Sequence, residues 1–278
     1  MSFLASAKKA QPKPPIITII ASPGAGKSTL GALFPNPIFI QAEDGSAVFE
    51  NWEEDAQPTL LQPLPKARKD AAGNMVVSTY ETLKDQLREL LTAEHDYKTL
   101  VVDAVTSMSR LLEAEIALKD DVRTVADAAG GFHKGYTDLA QQHAEIVYMC
   151  TVLRQKRGMA VVFLGHLGTE KVKNRPDDAA QYNVYSLDMH KDSAAIYISQ
   201  SDAVIYIKNQ EFVTGQETNR KGQVTKYGRA VQTGERILVT SGDGMMGFVS
   251  AKNRYGMDNE IPLPLGTNPI LPFIKHFN

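Results

Sequence analysis

A short glycine-rich stretch near the amino end constrains this chain most. The sequence ASPGAGKST occupies residues 21–29, directly after the apolar run IITIIA of residues 16–21. A continuous β-branched apolar run predicts a strand buried on both faces, and the residues after the glycines predict the start of a helix. A strand, a glycine-rich turn and a helix in this order form a nest of backbone N–H groups that binds phosphate.

The residues of this loop have distinct expected roles. Glycine lets the backbone curl so that several N–H groups point inward. Lys27 places a positive charge near the β- and γ-phosphates of a nucleotide, and Ser28 offers a hydroxyl to Mg²⁺. The Walker A pattern usually begins with glycine where this chain has Ala21, which a strand end tolerates. The predicted nucleotide-binding residues are Ser22, Pro23, Gly24, Ala25, Gly26, Lys27, Ser28 and Thr29.

A second apolar run supplies the acidic partner that a bound Mg²⁺ requires. The run TLVVD ends on Asp103, and Mg²⁺ keeps most of its waters, so one carboxylate that holds it through water is enough. The apolar run PIFIQAE of residues 37–43, a predicted buried strand, lies between the two motifs in sequence. This order favours the additional-strand class of P-loop ATPases over small kinases and GTPases. The sequence therefore predicts ATP and Mg²⁺ as cofactors, with Ser28 and Asp103 as the metal site.

Hydrolysis also requires a residue that orients or deprotonates the attacking water. Asp103 is followed by Ala104, so the position directly after it carries no carboxylate. Glu43 is at the carboxyl end of the PIFIQAE run, and that strand end opens onto the same crevice as the phosphate loop. We predict Glu43 as the catalytic base and Asp44 as the alternative, although the EDG sequence is also typical of a turn.

Strands alternate with helices over the first two hundred residues, which predicts an α/β fold with a mainly parallel sheet and helices on both faces. Short β-type runs near the carboxyl end predict an antiparallel extension of that sheet. Residues 1–15 are predicted to form a flexible arm and residues 16–278 one ATPase domain, with an irregular surface segment at residues 51–77. No apolar run is long enough to span a membrane, so we predict no membrane partner. The single cysteine, Cys150, allows no internal disulfide and favours a reducing setting, so we predict a cytoplasmic protein.

The motifs in this order resemble the core of the RecA-like P-loop ATPases. The matching segments are ASPGAGKSTL…FIQAEDG…TLVVDAVTSM, and they are closer to the phage-encoded nucleotide-binding proteins of the Sak-type single-strand annealing group. The resemblance covers roughly residues 16–264. A phage-encoded protein of this group would act in the cytoplasm of a bacterial host. The resemblance implies that Glu43 is the catalytic glutamate. It also implies that His166, at the end of VVFLGH, senses the γ-phosphate; a buried core histidine is the alternative.

A short string near the carboxyl end has its own resemblance. The sequence KNRYG of residues 252–256 is similar to the KNRFG segment of the bacterial RadA recombination proteins, with Tyr255 in place of phenylalanine. The resemblance implies that Lys252 and Arg254 reach across a subunit interface to the γ-phosphate bound by a neighbouring subunit. Such a role requires a ring or filament of this chain. The alternative is an exposed hairpin with incidental charge.

Two further segments carry aromatic and basic residues where the family places its DNA-binding loops. The formal net charge of −2 does not indicate a nucleic-acid-binding protein, so any such contact must come from a local surface. Aromatic rings beside cations favour single strands over duplex grooves. Solvated loops are the alternative interpretation. The candidate DNA-binding residues are Phe132, His133, Lys134, Tyr136, Lys171, Lys173 and Arg175.

Together these features predict an ATPase that binds single-stranded DNA as an oligomer and promotes annealing or recombination. DNA is expected to stimulate hydrolysis, and a single-strand-binding protein is a further candidate partner. A hexameric helicase-like motor or its loader is the first alternative. A small-molecule kinase is disfavoured because no lid segment or compact substrate domain is evident. An ATP-switched interaction module without DNA binding is not excluded by the sequence.

Overall fold

The computed structural model of this protein describes residues 7, 9, 11–172, 182–215, 217–218, 224–226, 228–241 and 251–278. The helices of these residues are α1 (Lys27–Ala32), α2 (Thr79–Thr92), α3 (Val105–Lys119), α4 (Gly135–Lys156) and α5 (Lys191–Gln200). The strands are β1 (Ile16–Ala21), β2 (Pro37–Gln41), β3 (Thr59–Leu60), β4 (Arg68–Lys69), β5 (Met75–Val77), β6 (Thr99–Asp103), β7 (Ala160–Val172), β8 (Tyr182–Leu187), β9 (Ala203–Thr214), β10 (Glu217–Thr218), β11 (Val224–Lys226), β12 (Arg229–Val239), β13 (Lys252–Asn253) and β14 (Glu260–Pro262).

One large mixed sheet organises the chain. Its strand order is β14-β12-β9-β1-β7-β6-β2-β3, and the strands from β9 to β3 in this order run parallel. Strands β12 and β14 join antiparallel at the other end. The predicted α/β fold with a parallel core and an antiparallel carboxyl-terminal extension is therefore confirmed. Strand β7 lies between β1 and β6, which is the arrangement expected for the additional-strand class.

Alternate residues of the central strands enter two hydrophobic layers, because successive side chains point to opposite faces. One layer receives α2, α3, α4 and α5, and the other receives α1 together with the carboxyl-terminal segment that contains Ile270 and Ile274. Both faces are thus covered, and the strands read as continuous apolar runs. Among the described residues no helix is both long and apolar enough to cross a membrane.

Three predicted segments differ from the structure. Strand β7 does not end at His166 but continues to Val172 and pairs antiparallel with β8, so the segment predicted to be the second DNA-binding loop begins as a β-hairpin. The segment 51–77, predicted to be irregular, contains β3, β4 and β5, and β3 extends the main sheet beside β2. Strand β2 ends at Gln41, two residues before Glu43. Extended pairing beyond the core depends on partner strands, which periodicity within one segment does not reveal.

Candidate nucleotide site

The phosphate loop adopts its curled form through two glycines in the left-handed region. Gly24 has φ 77° and Gly26 has φ 95°, a conformation that side chains with a Cβ rarely adopt. Helix α1 starts directly after Gly26, so the loop and the first turn of the helix are continuous. The Lys27 ammonium turns back over the loop and lies 3.4 Å from the carbonyl oxygens of Ala21 and Ser22. Burial lowers the pKa of Lys27, because the charged ammonium loses its contact with water. An anion bound beside the ammonium would offset this loss.

The predicted metal site is formed by Ser28 in the first turn of α1 and Asp103 at the carboxyl end of β6. The Ser28 hydroxyl donates to Asp103 Oδ2 over 2.5 Å, while the buried Oδ1 of Asp103 has no hydrogen-bond partner in the described part of the chain. Burial raises the pKa of this carboxyl group, as expected for a carboxylate that lacks a cation. A Cβ at Gly45 would lie 3.9 Å from Asp103 Oδ2 and 4.0 Å from the Ser28 hydroxyl oxygen. The Ser28 hydroxyl, the Oδ1 atom of Asp103 and the space beside Gly45, which has no side chain, fit a Mg²⁺ ion.

A hydrogen-bonded chain joins the predicted base to the phosphate loop. Glu43 Oε2 lies 3.0 Å from His166 Nε2, and His166 Nδ1 lies 3.4 Å from the Lys27 ammonium nitrogen. A carboxylate can only accept and an ammonium can only donate, so these contacts require neutral His166 with its proton on Nε2. Ser107 of α3 also donates to Glu43 Oε2. The loop after β2, the middle of β7 and the start of α1 thus bring Glu43, His166 and Lys27 together.

The electrostatics of this chain keep Glu43 ionised. The hydrogen bond from His166 is the main cause that lowers the pKa of Glu43 to about 2, with Ser107 and the positive charge of Lys27 acting in the same direction. At any pH at which such a protein functions, Glu43 therefore carries a negative charge and can accept a hydrogen bond from water. Asp44, the alternative base, is exposed and accepts a hydrogen bond from Ser46.

Comparison with known families agrees with this geometry. The model of the AAA domain family AAA_24 matches residues 13–255. The chain belongs to this AAA domain family. It is therefore a nucleotide-binding P-loop ATPase, and the matched span contains every predicted residue of the site from Ser22 to Arg254. A comparison with curated proteins found no match.

The AAA domain places its first aromatic and basic segment in an exposed turn before α4. The Phe132 side chain is 92% exposed, and both Phe132 and His133 have positive φ. His133 stacks on Tyr136, and Tyr136 stacks on His190 with ring centroids 4.1 Å apart. His190 follows β8 closely, so this turn lies beside the base of the β7–β8 hairpin. Lys134 is also exposed.

The second predicted DNA-binding segment begins as a β-strand and not as a loop. Lys171 lies within β7 rather than in a loop, because β8 pairs with this part of the strand. Lys173 and Arg175 lie outside the described residues. The Tyr136–His190 stack places the turn before α4 beside the base of the hairpin, whereas Lys171 lies four residues further along β7 than Leu167 at that base.

Lys252 and Arg254 lie at the opposite end of the strands from the phosphate loop of the same chain. Strand β13 pairs with Val204 and Ala203 at the amino end of β9, whereas the phosphate loop follows the carboxyl end of β1, which runs parallel to β9. The Lys252 ammonium donates to the Ser199 carbonyl oxygen over 2.8 Å and thereby caps the last turn of α5. Within one chain, Lys252 and Arg254 are therefore separated from the phosphate loop by the length of the strands β1 and β9.

Arg254 is exposed, whereas Lys252 is half-buried and donates to a carbonyl oxygen of α5. Its guanidinium lies 3.2 Å from Asp202 Oδ1, and the Arg254 side chain is 60% exposed. Asp202 retains a second ion pair, with Arg154 at 2.8 Å, and accepts a hydrogen bond from the Ile16 amide. Arg254 is therefore accessible at the surface, whereas Lys252 stabilises the end of a helix.

Two residues at the site, Ser107 and Arg236, were not predicted from the sequence. Arg236 of β12 donates to the Ala25 carbonyl oxygen over 3.1 Å and thus contacts the phosphate loop directly. The only sequence signal for Arg236 was Gly234, since a glycine inside a β-type run suggests a bulge. Neither Gly234 nor Arg236 belongs to a motif, and 211 positions separate Arg236 from Ala25.

Proposed function

We propose that this AAA domain hydrolyses ATP with Glu43 orienting the attacking water, and that it binds single-stranded DNA as an oligomer in a recombination or annealing role. The proposal rests above all on the chain Lys27–His166–Glu43, because it connects the phosphate loop to the predicted base and to the strand that continues into the β7–β8 hairpin. The resemblance to Sak-type annealing proteins supports the DNA role.

The residues of the site divide the work of hydrolysis. Lys27 and the loop N–H groups bind and orient the phosphates, and Ser28 with Asp103 would hold Mg²⁺, which neutralises phosphate charge when bound. A γ-phosphate beside Lys27 competes for the ammonium that now contacts His166. Loss of that contact frees Nδ1 of His166, so the ring can turn and redirect its Nε2 proton from Glu43 to a phosphate oxygen. Glu43 is then left with Ser107 and a water molecule. Glu43 accepts a proton or a hydrogen bond from that water as it attacks.

The same contacts offer a route from the nucleotide to DNA. His166 stands where β7 leaves the sheet and becomes one arm of the hairpin with β8. A change in the hydrogen bonds of His166 on phosphate binding therefore acts on the base of this hairpin. The stacked rings of Tyr136 and His190 adjoin that base, and Phe132 is exposed in the same turn. Bases of a single strand can stack on such rings in any sequence.

Single-stranded DNA is expected to stimulate ATP hydrolysis several-fold, and Phe132→Ala is expected to weaken DNA binding by about 1–3 kcal/mol, because one stacking contact is lost. Tyr148→Ala, which removes a 68% exposed ring from α4, is the matched control and should leave DNA affinity unchanged. ATPase assays and DNA-binding isotherms over a salt series measure both effects, and affinity should fall steeply with salt.

The outcomes separate the candidate functions. Absence of DNA binding at low salt contradicts both the annealing role and the helicase-like alternative, and leaves an ATP-switched interaction module. DNA binding with a closed ring and directional unwinding supports the helicase-like motor. Electron microscopy of the protein with DNA and a slowly hydrolysed ATP analogue distinguishes a ring from a filament.

Arg254→Ala is expected to reduce turnover about 10³-fold without loss of ATP binding, if the guanidinium acts on the nucleotide of a neighbouring subunit. Mixing inactive Arg254→Ala with inactive Lys27→Ala subunits should restore activity, since some interfaces then pair an intact phosphate loop with an intact Arg254. The double variant Lys27→Ala/Arg254→Ala, mixed with either single variant, provides the control. Full activity of Arg254→Ala, or no recovery on mixing, contradicts the trans role.

A further inference from the structure

Strand β12, whose Arg236 contacts the phosphate loop, contains a β-bulge. Strand β12 pairs with β9 at Gln232↔Glu211 and resumes pairing at Arg236↔Asn209. The three residues 233–235 of β12 are therefore opposite the single residue Gln210 of β9. Gly234 within the bulge has φ 80°, which a side chain with a Cβ rarely permits. Bulges of this kind occur next to active sites, where they redirect a side chain.

The side chain that follows the bulge is directed onto the phosphate loop. Arg236 Nη1 donates to the Ala25 carbonyl oxygen over 3.1 Å. A Cβ at Gly26 would lie 2.1 Å from the same nitrogen, so the guanidinium lies against the backbone of the loop. Gly26 thus serves two purposes, since it permits the left-handed turn and leaves room for Arg236.

A cavity of about 670 Å³ opens on the other side of Arg236. This volume lies within the range of small-molecule sites, ~300–1,000 Å³. Its walls are mainly apolar, with a few polar groups that can give orientation. The residues that line it are Gln210, Gly234, Glu235, Arg236, Ile237, Glu260, Pro262, Leu263, Pro264 and Leu265.

We propose that Arg236 and this cavity form the nucleoside-binding half of the nucleotide site. The inference rests on ATP binding at the phosphate loop. A triphosphate held by the loop leaves its sugar and base outside, and the cavity is an apolar space joined to the loop through Arg236. The planar guanidinium can stack on a base or donate to a sugar oxygen. Gln210 and the two glutamates offer acceptors for the amino group of a base.

Inorganic tripolyphosphate separates this role from a role in phosphate binding, because it carries the phosphates of ATP without a nucleoside. Titration calorimetry with Mg²⁺ would compare ATP and tripolyphosphate on the full chain and on Arg236→Ala. We expect Arg236→Ala to weaken ATP binding at least 10-fold and to change tripolyphosphate binding less than twofold. Arg88→Ala, an exposed arginine of α2, is the matched control and should change neither.

A second variant tests the cavity independently of Arg236. Leu265 lines the cavity and is 83% exposed, so Leu265→Glu is expected to fold normally and to place a charge where the base would lie. It should weaken ATP binding at least fivefold and leave tripolyphosphate binding unchanged. Equal losses of both ligands in Arg236→Ala would identify Arg236 as a phosphate ligand and overturn the proposal, as would unchanged ATP binding in both variants.

Lys27→Ala serves as the reference for the proposed function itself. If Lys27→Ala lowers the affinity for ATP and tripolyphosphate alike, the phosphates bind the loop and the comparison above decides the role of Arg236. If Lys27→Ala changes neither affinity, nucleotide does not bind at the loop, and both the proposed function and this inference are wrong.

Discussion

Replacing Glu43 by glutamine is expected to preserve ATP binding and to reduce turnover by about 10²–10⁴-fold, the usual contribution of a positioned general base. Glutamine keeps the size of the side chain and can still contact His166 and Ser107, but it has no negative charge with which to accept a proton from water. Equilibrium binding of a fluorescent ATP analogue and steady-state phosphate release measure the two quantities separately.

The neighbouring carboxylate provides the control for this substitution. Asp44→Asn makes the same chemical change one residue further along, at an exposed side chain that contacts Ser46 rather than the phosphate loop. We expect it to retain turnover within about twofold of the unmodified protein, in line with the small effects of surface substitutions. Turnover that survives in Glu43→Gln but is lost in Asp44→Asn would transfer the catalytic role to Asp44.

Lys27→Ala is expected to weaken ATP binding by at least about 10-fold and to abolish measurable turnover. The ammonium lies over the loop and, once phosphate is bound, makes charge-assisted hydrogen bonds worth about 1.5–3 kcal/mol each. Its loss should also raise the magnesium concentration required for binding, since metal and lysine share the phosphate charge. Calorimetric titration at fixed Mg²⁺ measures the loss of affinity.

The fold should tolerate this substitution. Burial lowers the pKa of Lys27, so the nucleotide-free protein holds the ammonium at a cost, and alanine removes that cost. We therefore expect the melting temperature without nucleotide to stay equal or rise, while the stabilisation by added ATP disappears. Lys98→Ala, an exposed lysine just before β6, is the control for removal of a positive charge. A lower melting temperature without nucleotide would show that Lys27 stabilises the fold.

Much of the nucleotide site could be predicted because its chemistry is local. The phosphate loop lies in one segment whose glycines, lysine and serine have fixed positions relative to each other. Asp103 and Glu43 were predictable for a different reason: each follows a buried apolar run, and the carboxyl ends of parallel strands meet at one edge of the sheet. The place of His166 near the γ-phosphate was implied by the resemblance to RecA-like ATPases, and the structure joins it to both Glu43 and Lys27.

The contacts that escaped prediction depend on antiparallel pairing at the edges of the sheet. No pattern within Leu167–Val172 indicates a strand, because this segment is extended by pairing with β8, a separate segment of the chain. Lys252 looked like a candidate catalytic cation, yet its ammonium caps α5. Both outcomes depend on which segments lie side by side, and that depends on the burial of the whole sheet.

The sequence by itself determined the class of fold, the phosphate loop and the carboxylates that follow the strands, because short-range backbone geometry and the alternation of buried strands with helices specify them. Only the tertiary structure decided that Arg236 reaches the phosphate loop. That contact joins Arg236 to Ala25 across 211 positions and requires the pairing of β12 with β9, the bulge at Gly234 and the absence of a side chain at Gly26. Each of these conditions is unremarkable in its own segment, and they form a site only when the sheet brings them together.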